Sequence, residues 1–320
     1  MTLSRRAALG AATLLATPPL LAARRVEAQA AAPPVVGPAF HRFDVGALKV
    51  TVVTDGSNVR PDATQGLVVN ATPDQVRGAM SAAGLAGPAM RNPFNVTFVE
   101  TPRGLVAIDV GTGGIGGPTT GALRTNMAAA GLDPERVVLI VHTHFHGDHI
   151  GGLTNNDGAA VFPRAQVAVP EGEWTFWNDA GEESRATDAR RPGFANVRRR
   201  FAPYLDRLTR FAPEAEVAPG IRAVPSNGHS PGHTSFLIAD GTGQALVLGD
   251  AITTPAFFMV NPDWYPMFDM DPAMAVATRK RLLDRAATER MPVVGYHFDM
   301  PATGRVERAG TGYRLVPSAA

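Results

Sequence analysis

Four of the chain's eight histidines fall within twelve residues, VHTHFHGDHIGG at 141–152, directly after the apolar run VVLIV at 137–141. Five consecutive Val, Leu and Ile residues read as a strand buried on both faces, the kind found where helices cover a sheet. Catalytic groups commonly sit on loops at the ends of such strands, because a rigid sheet then positions them. Within the cluster His144, His146, Asp148 and His149 form the pattern H-x-H-x-D-H. Alternation along an extended turn points the first two rings the same way, while the adjacent Asp148 and His149 can face a second centre. Imidazoles and a carboxylate at such spacing are metal ligands far more readily than a polar turn.

The absence of cysteine from all 320 residues excludes disulfides, thiolate nucleophiles and sulfur-ligated metals, so any metal must be held by nitrogen and oxygen. With 45% hydrophobic and 18% charged residues, the chain can bury a sizeable core. A net charge of +1 without long basic runs leaves no electrostatic footprint for nucleic acid. Residues 1–30 combine Arg5 and Arg6, an apolar run and Ala28-Gln29-Ala30, which reads as an export signal of the twin-arginine kind with a cleavage site after Ala30. A periplasmic or secreted protein is expected, and loss of four Arg and one Glu takes the net charge from +1 to −2. No other run is long and apolar enough to span a bilayer, so no membrane anchor is expected after cleavage. The Ala- and Pro-rich stretch 31–40 reads as a loose arm, and 41–320 as a single domain.

Strand-like runs are expected at 48–54, 96–100, 105–110, 137–141, 167–169, 221–225, 235–239, 245–248 and 293–296. Helical patterns fall at 119–130, closed by Gly131, and at 171–177 and 195–208. A further helix is capped by Asp271, with Pro272 at its first position and Ala275, Leu282, Leu283 and Ala286 on one face. The segment 57–95, helical near 73–83, is a candidate lid. Two sheet-and-helix halves are visible without an internal repeat, an α/β pattern.

Together with GHSPGH at 228–233, LVLGD at 246–250, VVGYH at 293–297 and DVGTG at 109–113, the cluster resembles the metallo-β-lactamase-fold hydrolases. The likeness runs over nearly all of the chain beyond the signal. It implies a four-layer αββα sandwich. It implies one metal on His144, His146 and His229, a second on Asp148, His149 and His297, and Asp250 shared between them. Asp109 is implied to support the metal loop from behind. Within the family the chain is similar to the exported methyl-parathion hydrolase and lactonase-like branch, through TDG at 54–56, TFW at 175–177 and GRVERAGTGYRLVP at 304–317. A tyrosine often found soon after the bridging aspartate in homoserine-lactone hydrolases is absent, since Ala-Ile-Thr follows Asp250.

Two divalent ions about 3.5 to 4 Å apart can hold a hydroxide at neutral pH and polarise the bond it attacks. The expected activity is therefore hydrolysis of an apolar ester, phosphotriester or lactone, with Asp148 and Asp250 as the carboxylates at the reacting centre. Zinc is expected first, although iron, manganese and cobalt suit these ligands equally. Of the remaining histidines, His233 should orient a turn or a ligand, His142 should be packed or hydrogen-bonded, and His41 should lie at the surface. Phe257 and Phe258, with Trp264, Tyr265 and Phe268 beyond them, follow Asp250 closely. Phe257 and Phe258, together with Phe176 and Trp177, are expected to wall an apolar pocket for a small substrate. The alternative is a redox enzyme on the same fold, a mononuclear iron persulfide dioxygenase. A diiron oxygen reductase expects Glu where His146 stands, and a flavin domain for which there is no room. Homodimerisation is left open.

Overall fold

A computed structural model describes residues 38–319. The expected export signal at 1–30 and residues 31–37 of the expected arm lie outside the described residues. The first strand already begins at Phe40, inside that arm.

Seven strands form the first sheet in chain order: β1 (Phe40–Val45), β2 (Leu48–Arg60), β3 (Met90–Thr101), β4 (Gly104–Ile108), β5 (Val137–Val141), β6 (Gln166–Pro170) and β7 (Leu208–Phe211). The first four are antiparallel neighbours, and β4 to β7 run parallel. Helices make the parallel crossovers: α2 (Leu123–Ala129) between β4 and β5, and α4 (Glu171–Trp177), α5 (Ala180–Arg185) and α6 (Arg191–Phe201) between β6 and β7. The second sheet holds β8 (Glu216–Ala218), β9 (Ile221–Pro225), β10 (Thr234–Asp240), β11 (Gly243–Val247), β12 (Pro292–Val294), β13 (Thr303–Ala309) and β14 (Gly312–Pro317), also in chain order. Its one parallel pair, β11 with β12, is bridged by α7 (Pro255–Phe258) and α8 (Pro272–Glu289).

Period-two alternation sorts the strand side chains into layers. Val50, Val52, Val106 and Ile108 of the first sheet share one core with Phe236, Ile238 and Ala245 of the second, and that core reaches Leu282, Leu283 and Ala286 of α8. The intervening Val53, Leu105 and Ala107 turn to the opposite face, where they meet Leu123 and Met127 of α2 and Phe194, Val197 and Phe201 of α6. Helix, sheet, sheet and helix are thus stacked in the expected four layers.

Three expected elements differ. The 57–95 segment is no open loop at its ends, because Arg60 pairs with Met90 and only 61–89 departs from the sheet. That excursion carries α1 (Pro73–Ala82), started by a capping box of Thr72 and Gln75. It is stitched down by Val69 N to Tyr265 O and by Met267 N to Leu67 O, both 3.0 Å. The helix expected from 119 begins at Leu123, since Thr119 O accepts from Ser57 N and Thr120 bridges Gly56. The helix expected at 195–208 starts at Arg191 and tightens to a 3₁₀ turn over Ala202–Arg207, where Pro203 has no N–H to continue an α-helix.

Candidate metal centre

The candidate ligands stand at strand ends of both sheets. β5 leads into His144, His146 and the short helix α3 (Gly147–Ile150), which carries Asp148 and His149. The β9–β10 turn brings His229, the end of β11 brings Asp250, and the residues after β12 bring His297. The two sheets are tied beside the site by Thr234 N to Thr143 O and Asn95 N to Tyr296 O, each 2.9 Å.

All seven converge. His144, His146 and His229 form one set able to surround an ion, Asp148, His149 and His297 another, and Asp250 joins His144 and His149 between them. His146 Nδ1 lies 3.0 Å from His144 Nε2 and 2.9 Å from His229 Nε2. The Asp250 carboxylate lies 3.2 Å from both His149 Nε2 and His297 Nε2, and 3.4 Å from His229 Nε2. Asp148 reaches His297 Nε2 at 3.5 Å and His149 Nε2 at 3.7 Å. His144, His149 and His229 are buried, whereas the Asp148 side chain is 29% exposed and His146 half-buried, so access lies over those two.

The donor set fits divalent cations. His149 Nε2 and Asp250 Oδ1 are buried without any hydrogen-bond partner, a costly state unless something positive lies between them. Burial and mutual repulsion push His144 and His146 well below the ordinary imidazole range, leaving neutral rings with free lone pairs. Burial alone would also lower His149, but Asp250, Asp148 and Asp109 raise it well above that range. The carboxylates therefore favour positive charge at the centre.

Behind His149, His229 and His297, Nδ1 finds its own holder, which fixes both tautomer and ring angle. His149 Nδ1 donates to Asp109 Oδ2 at 2.8 Å. Asp109, at a left-handed φ of 63°, also accepts from the amide and hydroxyl of Thr143 at 2.9 and 2.8 Å. Burial would raise its carboxyl, yet His149 and His142 hold it below the usual range. His229 Nδ1 donates to Asp269 Oδ1 at 2.9 Å, and the buried Arg279 guanidinium meets Asp269 Oδ2 at 3.0 Å. His297 Nδ1 donates to Pro93 O at 2.8 Å. Tyr296 stacks on His149 with ring centres 3.8 Å apart and donates its hydroxyl to Asp148 O at 2.6 Å.

His233 stands behind the shared carboxylate rather than among the ligands. Its Nε2 accepts from Asp250 N at 3.0 Å, so its proton sits on Nδ1, 2.8 Å from Ser226 Oγ. Burial, then the neighbouring His229, pushes it down to about 3. The adjacent Gly249 holds φ at 55°, and a Cβ there would come within 2.7 Å of His233 Nε2. His142 is buried against Phe145 and Phe201, and His41 is half-buried on β1.

The expected pocket walls are placed differently. Phe257 and Phe258 are fully buried in the core shared by the two sheets and present no surface to a substrate. The turn of α7 directs both inward. Trp177 is 2% exposed, packs on Phe194, and donates its indole N–H to Glu173 Oε1 at 2.6 Å. Only its edge approach to His146, 6.2 Å between ring centres, connects it to the site. Phe176 is half-buried against Trp177 and Phe194. The exposed apolar side chains nearby are Ile115, 54% exposed and set against Gly147, and Phe268, 50% exposed and next to Asp269 in the chain.

Residues 91–297 match the family model described as the Metallo-beta-lactamase superfamily. The N-acyl homoserine lactonase of Bacillus thuringiensis is 27% identical over 171 residues, which cover 53% of this chain and 59% of the lactonase. The match therefore spans only about three fifths of that relative's length. The acyl-coenzyme A thioesterase of Gallus gallus is 28% identical over 235 residues, 69% of this chain and 78% of that protein. Among solved structures, AidC, a dizinc quorum-quenching lactonase, superposes with a TM-score of 0.83 at 21% identity, covering 88% of this chain and 98% of its own. The hydrolase AbOPH of the beta lactamase superfamily does so with 0.83 at 24%, covering 89% and 99%. The site geometry, the fold and the family match agree, and the chain belongs to the metallo-β-lactamase superfamily.

Proposed function

We propose that this protein is a metal-dependent hydrolase that uses two divalent cations, zinc first, to cleave an apolar ester, lactone or phosphotriester. The observation that carries this reading is the convergence of two three-residue ligand sets on one shared carboxylate, Asp250. A mononuclear iron dioxygenase would leave the second set, Asp148, His149 and His297, without an ion, and iron content with oxygen uptake separates the two readings. Bound there, the ions would supply Lewis acidity and lower the pKa of water to roughly 7. The chain's own contribution is orientation. Asp109, Asp269 and the Pro93 carbonyl lock three rings with Nε2 inward, and His233 fixes the backbone of Asp250. Asp148, the most exposed carboxylate of the set, stands where a substrate enters. Substrates with apolar groups are supported by Ile115 and Phe268 rather than by the buried Phe257, Phe258 and Trp177.

The test is a metal count on purified protein together with a screen of aryl esters, lactones and phosphotriesters. Two ions per chain and hydrolysis in at least one class are expected, and Asp250→Ala should lose both ions and turnover. One ion at saturation in well-folded protein, or iron with oxygen uptake, would overturn the proposal.

A further inference from the structure

Glu173, on α4, is a buried carboxylate that no ligand set includes. Its four partners are all donors. Oε1 accepts from Phe145 N at 3.1 Å and Trp177 Nε1 at 2.6 Å, and Oε2 accepts from Ser230 Oγ and Gly232 N at 2.8 Å each. Burial raises its pKa above the ordinary glutamate range, whereas the four accepted hydrogen bonds favour the carboxylate over the acid, and among the described residues no Lys or Arg pairs with it. A carboxylate buried without a countercharge is costly to a fold.

The placement of those donors is selective. Phe145 lies between His144 and His146, Ser230 follows His229, and the Trp177 ring edges His146. Every ligand of the His144, His146 and His229 set thus adjoins a group that Glu173 holds. His146 has most need of it: the rings of His149, His229 and His297 each meet a carboxylate or carbonyl and that of His144 meets the Thr143 hydroxyl, whereas the His146 ring meets only His144 and His229. The other set rests on different supports, Asp109, Tyr296 and Pro93 O.

We propose that Glu173 is the positioning residue of the His144, His146 and His229 subsite, tying the two metal-bearing turns together and lending that subsite a buried negative charge. The assignment rests on the dinuclear reading above. Its test uses the full chain freed of metal and titrated with zinc against a chromophoric chelator. His297→Ala leaves only the His144, His146 and His229 set whole, and His229→Ala leaves only the other. Glu173→Gln keeps the volume but turns an NH₂ toward groups that are themselves donors. Added to His297→Ala, it should weaken zinc binding about 10- to 100-fold, the range for losing a partner behind a metal ligand. Added to His229→Ala, it should change binding by less than about twofold.

Equal losses in both backgrounds, or no loss in either, would overturn the assignment. Should Glu173→Gln fail to fold, Ser230→Ala decides, because it retains the carboxylate and removes one of its four donors. A severalfold loss confined to the His297→Ala background is expected, and wild-type affinity there would overturn the assignment. Fewer than two zinc ions on the wild-type chain would instead overturn the dinuclear reading.

Discussion

A ring that serves a metal has to be neutral at one nitrogen and anchored at the other, and the residues here divide that labour by chemistry. Carboxylates hold His149 and His229. His233 does the converse: it is an acceptor, and protonation would set its N–H against the N–H of Asp250. Its pKa of about 3 lies below the ordinary value near 6.5, so the unfolded chain binds this proton more tightly than the folded one. The sign follows: stability is fully present above pH 6.5 and is lost as the pH falls toward 3. His149 and His297, both raised, act in the opposite direction, so the effect must be read by difference. In urea titrations of metal-free protein, His233→Gln should lose about 2 kcal/mol less than wild type between pH 7.5 and pH 5. Parallel pH profiles would refute the role. The ligands themselves were legible in the sequence because motifs of two or three residues fix them. Asp269, Arg279 and Glu173 were not, because a lone carboxylate or guanidinium tens of residues from its partner leaves no local pattern.

At the scale of elements, the strands near the site were read well and the aromatic stretch after Asp250 was not. A continuous Val, Leu and Ile run such as β5 admits one reading once histidines end it. Phe257 and Phe258 admit two, pocket wall or core, and only the direction in which α7 turns decides between them. The end strands β13 and β14 carry a weak alternation that pattern alone did not resolve. What the sequence did mark is the turn at 109–113, and its work is steric. Gly152 N donates to Gly111 O at 3.0 Å, and Val110 N to His149 O at 3.1 Å, so the turn lies flat against the end of the histidine loop. A Cβ on Gly152 would fall 1.9 Å from Val110 O, closer than any backbone can yield without moving. Gly152→Ala should therefore displace Asp109 from His149, costing more than about 3 kcal/mol in stability together with metal at the Asp148, His149 and His297 set. Gly78→Ala, where no atom lies within 4 Å of the added carbon and φ, as at Gly152, is not positive, is the control for glycine replacement. A Gly152→Ala protein as stable and as metallated as wild type would show that the two turns are free to part.

The ligand sets also have a consequence for the whole molecule, because each draws on both sheets. His144 and His146 from the first sheet meet His229 from the second, and Asp148 and His149 from the first meet His297 from the second. An ion in either set links the halves at the end where the direct ties are hydrogen bonds, such as Thr234 N to Thr143 O and Asn95 N to Tyr296 O. Unfolding separates the ligands, so binding is confined to the folded state and stabilises it by about 2.7 kcal/mol per site when free metal is a hundredfold above Kd. For a chain of this size each kcal/mol moves Tm by roughly 2 to 4 °C. Chelation should thus lower Tm by about 5 to 10 °C per ion removed. The halves share one continuous core through Val106, Ile108, Phe236 and Ile238, so the metal-free protein should still melt in a single transition, and restored zinc should return the original Tm. If calorimetry of the chelated protein resolved two transitions, the common core would not be what joins the sheets, and the metal would be the principal link between them.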